Sequence, residues 1–462
     1  KNLFIQAPTG VGKTISTIYP AVRAVGENLA DKIFYLTAKT ITGSVAKETF
    51  DLLAANGYRA KIVAITAKEK MCKCEEVDCN PESCPYAKGH YDRVNDAVFD
   101  LLLQEDNFTR EVFFEQAEKF MVCPFELCLD TATWADNIIC DYNYVFDPNV
   151  YLKRFFAEGL KGDYIFLVDE AHNLVERGRS MYSAALYKED FLAIKKILKN
   201  HSKKLEKELE RCNKIMLEYK RNCDTYMVLE DIGNLIFALM RLGSEMDKFF
   251  QKTREFQGKE ECLQFYFDVR NFLNIYDRVD ENYVIYSEHD EQGRFFIKLY
   301  CVDPSRNLQE CLDKGKSTIF FSATFLPINY YKSLLSTKDD NYAVYAETTF
   351  RKEQSLLLIA DDVSSKYTRR NQKEFMRIAS YIAKIAAGKK GNYIAFFPSY
   401  KFMEQVYNQF ILEYVNRFET LVQISGMKEK EREEFLEEFE KERGQSLVAF
   451  CVMGGIFGEG ID

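Results

Sequence analysis

The segment Ala7-Pro8-Thr9-Gly10-Val11-Gly12-Lys13-Thr14 sets a glycine-rich loop between an apolar run at 3–7 and a helix-period pattern at 14–25. Such a loop must carry the chain from a buried strand into a helix N-terminus. There the free backbone N–H groups and the helix dipole favour an anion. Thr9, Gly10, Val11 and Gly12 then wrap a phosphate chain, Lys13 reaches the β- and γ-phosphates, and the Thr14 hydroxyl meets Mg²⁺. Ala7 stands where the general pattern has its first glycine. Further strand-like runs at 33–37, 61–65 and 137–141, with helical patterns at 14–25 and 43–56, predict a parallel sheet covered on both faces.

A second segment fits the same site. The apolar run 164–168 ends in Asp169-Glu170-Ala171-His172. A carboxylate at the C-terminal end of a parallel strand faces the crevice where nucleotides bind. Asp169 is expected to hold Mg²⁺ through water, and Glu170 to orient and activate the attacking water. A second α/β unit is read from strands at 356–360, 393–397 and 447–451 and helices at 371–387 and 401–417. Between 186 and 275 the chain is charged and reads as helical. Ile232, Leu235, Ile236, Leu239, Leu242, Met246 and Phe249 share one helix face, as do Leu205, Leu209, Cys212 and Met216. The run 428–443 reads as a charged amphipathic helix.

With 62 basic and 71 acidic residues among 462, a net charge of −9 argues against a surface that is basic all round. A local basic groove stays compatible with it. No run approaches the roughly 18 apolar residues of a membrane-spanning helix, so no membrane partner and a cytoplasmic location are expected. Both ends read as cuts through a longer chain, with further domains expected on each side. The 13 cysteines are an odd number, which favours a reducing compartment over a disulfide scaffold. Cys72, Cys79, Cys84 and Cys123 could ligate either a [4Fe–4S] cluster or a structural zinc, and spacing alone leaves both open. Cys74 could compete with Cys72. Cys128, Cys140, Cys301 and Cys451 read as packing.

The glycine-rich loop, Asp-Glu-Ala-His and Ser322-Ala323-Thr324 resemble motifs I, II and III of superfamily 2 helicases. Phe396-Phe397-Pro398-Ser399-Tyr400 and Gly458-Glu459-Gly460-Ile461-Asp462 resemble motifs IV and V of the XPD/DinG-like iron–sulfur DNA helicases. The resemblance implies two RecA-like motor domains. The first would be discontinuous, over 1–70, 124–185 and 284–330, interrupted by an iron–sulfur module at 71–123 and a helical arch at 186–283. The second would be 331–462, truncated at its C-terminus. Lys13 and Asp169 are 156 residues apart, and Asp169 and Ser322 are 153 apart, long enough for an insertion in each interval.

The resemblance further implies ATP, Mg²⁺ and a [4Fe–4S] cluster on Cys72, Cys79, Cys84 and Cys123. Lys13, Asp169 and Glu170 would be catalytic, and Gly460 and Asp462 would join the ATP site. His172, Ser322 and Thr324 would couple ATP state to DNA grip. DNA contacts would fall on Thr37, Lys39, Thr40, Asn143 and Tyr144, with Tyr142 also placed to stack a base. The implied activity is ATP-dependent translocation on single-stranded DNA, 5′ to 3′, by a monomeric motor that separates duplexes and junctions in repair or replication. An RNA-directed Asp-Glu-Ala-His helicase with a zinc module, and a nucleotide-switched interaction module, are the alternatives.

Overall fold

The computed structural model describes residues 1–38, 40–253, 255–354, 356–414, 416–427, 429–455 and 457–458. Lys39, Gly460 and Asp462 lie outside the described residues, as does the side chain of Thr40. The chain divides into two units, Lys1–Thr349 and Phe350–Asp462.

In the first unit the chain opens with β1 (Asn2–Gln6), β2 (Lys32–Thr37), β3 (Ile62–Ala64), β4 (Asn107–Phe108), β5 (Asn137–Asp141) and β6 (Tyr164–Val168). After β7 (Ala184–Tyr187), β8 (Tyr226–Val228), β9 (Tyr283–His289) and β10 (Phe295–Cys301) come β11 (Ser317–Ser322) and β12 (Tyr342–Tyr345). Eight of these form one sheet in the order β12-β1-β11-β6-β2-β5-β3-β4, parallel throughout. Side chains alternate across a strand, so a strand covered on both faces is apolar at every position. β2 shows this: Ile33 and Tyr35 pack with Ile18, Ala21, Ala46 and Phe50 of the helices Lys13–Gly26 and Thr40–Ala55. Phe34 and Leu36 turn the other way into the larger core.

The insertion after β6 differs from the helical segment expected. The helices Lys188–Leu198, Lys203–Arg221, Gly233–Lys252 and Lys259–Tyr276 are present, and the predicted apolar faces are buried at Leu205, Leu209, Cys212, Met216, Leu235, Leu239, Leu242 and Met246. They accompany a separate four-stranded antiparallel sheet, β7-β10-β9-β8. β9 and β10 therefore belong to this sheet and not to the motor sheet, where 284–330 had placed them. No helix among the described residues is long and apolar enough to cross a membrane.

The expected 330/331 boundary also differs from the division of contacts at 349/350. Helix Ile328–Leu335 and β12 follow β11, and β12 pairs with β1 from Leu3 to Gln6, extending the first sheet. In the second unit β13 (Asn392–Phe397), β14 (Glu419–Val422) and β15 (Leu447–Val452) form a parallel sheet in the order β13-β15-β14. The helices Gln372–Gly388 and Tyr400–Tyr414 supply Phe375, Phe402, Val406 and Phe410 to its core, against Phe397 and Phe450. Strand β14 was not foreseen. The strand expected at 356–360 does not form: Leu356, Leu357, Leu358 and Ile359 are exposed, and no described strand pairs with them. Among the described residues the charged run at 428–443 is helical over Glu429–Glu437.

Candidate functional site

Gly10 and Gly12 take φ of 78° and 76°, left-handed backbone that costs glycine little. Gly12 is the N-cap of helix Lys13–Gly26. It provides no side-chain cap, and the first turn carries no acidic residue. The first N–H groups of the helix are thus left to an anion.

Across β11 from this loop, the end of β6 delivers Asp169 and Glu170. The Asp169 N–H donates to the Leu36 carbonyl (2.9 Å) and the Ala171 N–H to the Phe321 carbonyl (3.2 Å), so the turn is tied to both neighbouring strands. Glu170 has φ 42°, a left-handed conformation costing a non-glycine residue on the order of 1–3 kcal/mol. Its carboxylate lies 3.4 Å from Lys13 Nζ and accepts from Ser322 Oγ at 3.1 Å. Ser322 Oγ is 2.8 Å from His172 Nδ1 and accepts from the Thr324 N–H at 3.0 Å. With Ser322 donating to Glu170, the imidazole donates its Nδ1 hydrogen to Ser322. The predicted group Lys13, Glu170, His172, Ser322 and Thr324 is thereby gathered by three strands.

Burial pushes the Asp169 carboxyl up to about 6, with Glu170 adding to the rise while Tyr35, the Glu170 N–H and Lys13 oppose it. Burial acts upward on Glu170 as well. The His172 hydrogen bond, the Lys13 charge and Ser322 outweigh it and hold Glu170 below the usual carboxylate range. Tyr35 was missed as part of the site, and Tyr142 was named for a different role. Tyr35 of β2 donates to Asp169 Oδ2 at 2.8 Å and also bonds the Thr14 side chain, so it stands between the two groups assigned to Mg²⁺. Tyr142 donates to the Asp169 carbonyl. It is fully buried, which excludes the base-stacking role read from sequence. For Tyr35 the available signal was a tyrosine within an otherwise apolar strand, since a buried phenol needs a partner.

Thr37, Asn143 and Tyr144, read as DNA contacts, meet at one groove of about 860 Å³ along the ends of β2, β3 and β5. Lys47, Lys68, Lys70, Lys153 and Arg154 line it against Glu69 and Asp141, so a basic groove does exist on this acidic chain. The Thr37 residue is itself buried. Arg154 is engaged by Glu126 and Asp130.

Cys72, Cys74, Cys79, Cys84 and Cys123 all line a single cavity of about 280 Å³, and none is disulfide-bonded. Cys74 Sγ and Cys84 Sγ are 3.9 Å apart. Sulfurs around a tetrahedral zinc, each about 2.3 Å from the ion, would all approach one another this closely. Among the described residues no three His, Cys, Asp or Glu side chains gather tightly enough to hold one ion. The Cys123 N–H donates to Nδ1 of buried His90 at 3.2 Å. Cys128, Cys140, Cys301 and Cys451 are buried in packing positions.

The DEAD_2 family profile matches residues 58–191, and the Helicase C-terminal domain profile matches residues 382–462. The ATP-dependent DNA helicase XPD of Sulfolobus acidocaldarius is 25% identical over 88% of this chain and 71% of its own. The ATP-dependent DNA helicase CHL1 of Candida glabrata is 20% identical over 84% of this chain and 52% of its own, so the chain spans about half the length of that relative. A solved XPD helicase structure superposes over 100% of this chain and 78% of its own, with a TM-score of 0.56 at 18% identity, which fixes the two units as RecA-like folds. Both profiles fall in helicase order on a chain whose motif I, II and III side chains meet in space, and these matches support its similarity to the XPD/DinG-like superfamily 2 helicases.

Proposed function

We propose that the chain is the motor core of an ATP-dependent DNA helicase. It hydrolyses ATP with Mg²⁺ and couples each cycle to 5′-to-3′ translocation on single-stranded DNA and to duplex separation, acting as a monomer in cytoplasmic repair or replication. The observation that carries this reading is the Lys13–Glu170 pair at 3.4 Å, with Asp169 beside it at the C-terminal edge of a parallel sheet. Arriving phosphates draw Lys13 away from Glu170, and the released carboxylate takes the proton of the attacking water. Asp169 and Thr14, bridged by Tyr35, would hold the cation, whose charge would polarise the phosphates. The basic groove at Thr37, Asn143 and Tyr144 takes the phosphodiester backbone, whose recognition there is electrostatic and sequence-independent. The curated relatives named as DNA helicases favour DNA over RNA.

Five thiols around one cavity supply the thiolate set of the polynuclear iron–sulfur group that the helicase resemblance implies. When bound to Cys72, Cys79, Cys84 and Cys123, the cluster would cross-link the 71–123 module. The test is strand separation by the full-length protein, purified without oxygen, on a forked duplex with a 5′ single-stranded tail. ATP-dependent displacement by the parent and none by Lys13→Ala is expected; equal displacement by both, or none by either, overturns the reading.

A further inference from the structure

The peptide joining Asp169 to Glu170 is pinned at both polar ends. Its N–H donates to Asp169 Oδ1 at 2.8 Å, and its carbonyl accepts from the Tyr142 hydroxyl. The torsion immediately beyond that peptide is the φ of 42° at Glu170. A peptide plane held by two hydrogen bonds restrains this torsion, and the torsion directs the carboxylate. One bond is internal to the turn. The other comes from the turn that follows β5, and it leads to the groove.

Tyr142 follows β5 and begins the short helix Asn143–Phe146. Its neighbours Asp141, Asn143 and Tyr144 line the groove, while its own side chain is fully buried. Its N–H donates to the carbonyl of Thr37, which lines the same groove (3.1 Å). A second tie runs in parallel. Arg177, on the helix Asn173–Met181 that follows His172, donates to Asp141 Oδ1 and to Asn143 Oδ1, each at 3.2 Å. The groove turn 141–143 is therefore held on one side to the peptide before Glu170 and on the other to the helix after His172.

We propose that Tyr142 is a positioning residue through which single-stranded DNA in the groove sets the Glu170 carboxylate for water activation. This rests on the helicase reading above. DNA seated against 141–144 fixes the turn, the turn fixes the Tyr142 hydroxyl, and the hydroxyl fixes the peptide that aims Glu170. Tyr142 touches neither nucleotide nor DNA. The relay therefore acts on turnover and not on the affinity for either.

The experiment compares the full-length parent with Tyr142→Phe, which keeps the buried ring and removes the one hydroxyl. The maximal ATP turnover stimulated by oligo(dT) is expected to fall about tenfold, a loss on the scale of one well-placed hydrogen bond, with KM for ATP and oligo(dT) affinity each within about twofold of the parent. Arg177→Gln loosens the same turn from a partly exposed position and should lower stimulation in the same direction. Tyr182→Phe removes a comparable buried hydroxyl bond, to the Phe146 carbonyl at 2.6 Å, and should leave stimulation intact. Parent-like stimulation in both Tyr142→Phe and Arg177→Gln overturns the relay. So does a loss of oligo(dT) affinity in step with turnover, which would make Tyr142 part of the DNA contact. A parent with no DNA-stimulated turnover at all would instead defeat the helicase reading on which the relay rests.

Discussion

The Lys13 ammonium lies 3.4 Å from a Glu170 carboxylate oxygen, so the side chain assigned to phosphate and the one assigned to water form an ion pair. On the proposed reading, binding of phosphate and release of the base would be one event. Together with the His172 hydrogen bond, which contributes more, the pairing holds the Glu170 pKa low despite its burial.

Glu170→Gln keeps the shape of this contact and removes its charge. Mg·ATP affinity should be retained or increased, because the phosphates no longer compete with a carboxylate for Lys13. Turnover should fall by about 10²-fold or more, the contribution of a positioned general base. Equilibrium binding of a fluorescent ATP analogue and single-turnover hydrolysis check the two halves. Affinity falling as far as turnover would make Glu170 a binding residue.

Ser322 bridges Glu170 and His172 from β11. Ser322→Ala breaks the bridge and leaves Lys13, Thr14 and Asp169 in place. ATP affinity should stay within about twofold of the parent and hydrolysis within about tenfold, while base pairs separated per ATP fall further than either. Unwinding reduced only in proportion to hydrolysis would show that the bridge serves chemistry and not coupling.

Asp169 gives the fold a signed pH dependence. Its carboxyl titrates near 6 in the folded protein against 3.8 for the ordinary group, because burial disfavours the anion. Its stabilising contribution is therefore complete below pH 3.8 and is lost as pH rises through about 6, by on the order of 3 kcal/mol for about two pKa units. In EDTA, urea unfolding of Asp169→Asn should gain on the parent by about that amount between pH 4 and 7. Parallel stability curves would contradict the burial argument.

Iron content tests the thiol cavity. Protein purified without oxygen should be brown and carry about four irons per chain. Cys72→Ser, Cys79→Ser, Cys84→Ser and Cys123→Ser should each lose them, and Cys74→Ser should keep them. Stoichiometric zinc with negligible iron, or iron lost from Cys74→Ser and kept in Cys72→Ser, would revise the ligand set.

The meeting of Lys13 with Glu170 was legible because the two motifs are contiguous residues on a strand–loop–helix and at a strand end. β2 and β6 were equally plain, since burial on both faces leaves uninterrupted apolar runs at Ile33–Leu36 and Ile165–Val168. What escaped depends on pairing across distance. The antiparallel sheet β7-β10-β9-β8 joins segments from 184 to 301, and β8 spans only Tyr226–Val228, too short to show a period. β12 is exposed at every position and owes its existence to β1. The run 356–359 shows the converse, having strand composition but no described partner. Tyr35 and Tyr142 were hidden for the same reason: what a buried hydroxyl touches is set by neighbouring strands and not by neighbouring residues.

The central claim is a phosphate site whose turnover answers to DNA. Its most direct test is the initial rate of phosphate release by the full-length protein at saturating Mg·ATP, with and without single-stranded oligo(dT), beside Lys13→Ala. The account predicts a parent rate that oligo(dT) raises at least about tenfold and a Lys13→Ala rate at background under both conditions. A parent rate indifferent to oligo(dT), or DNA-stimulated release surviving in Lys13→Ala, would contradict it.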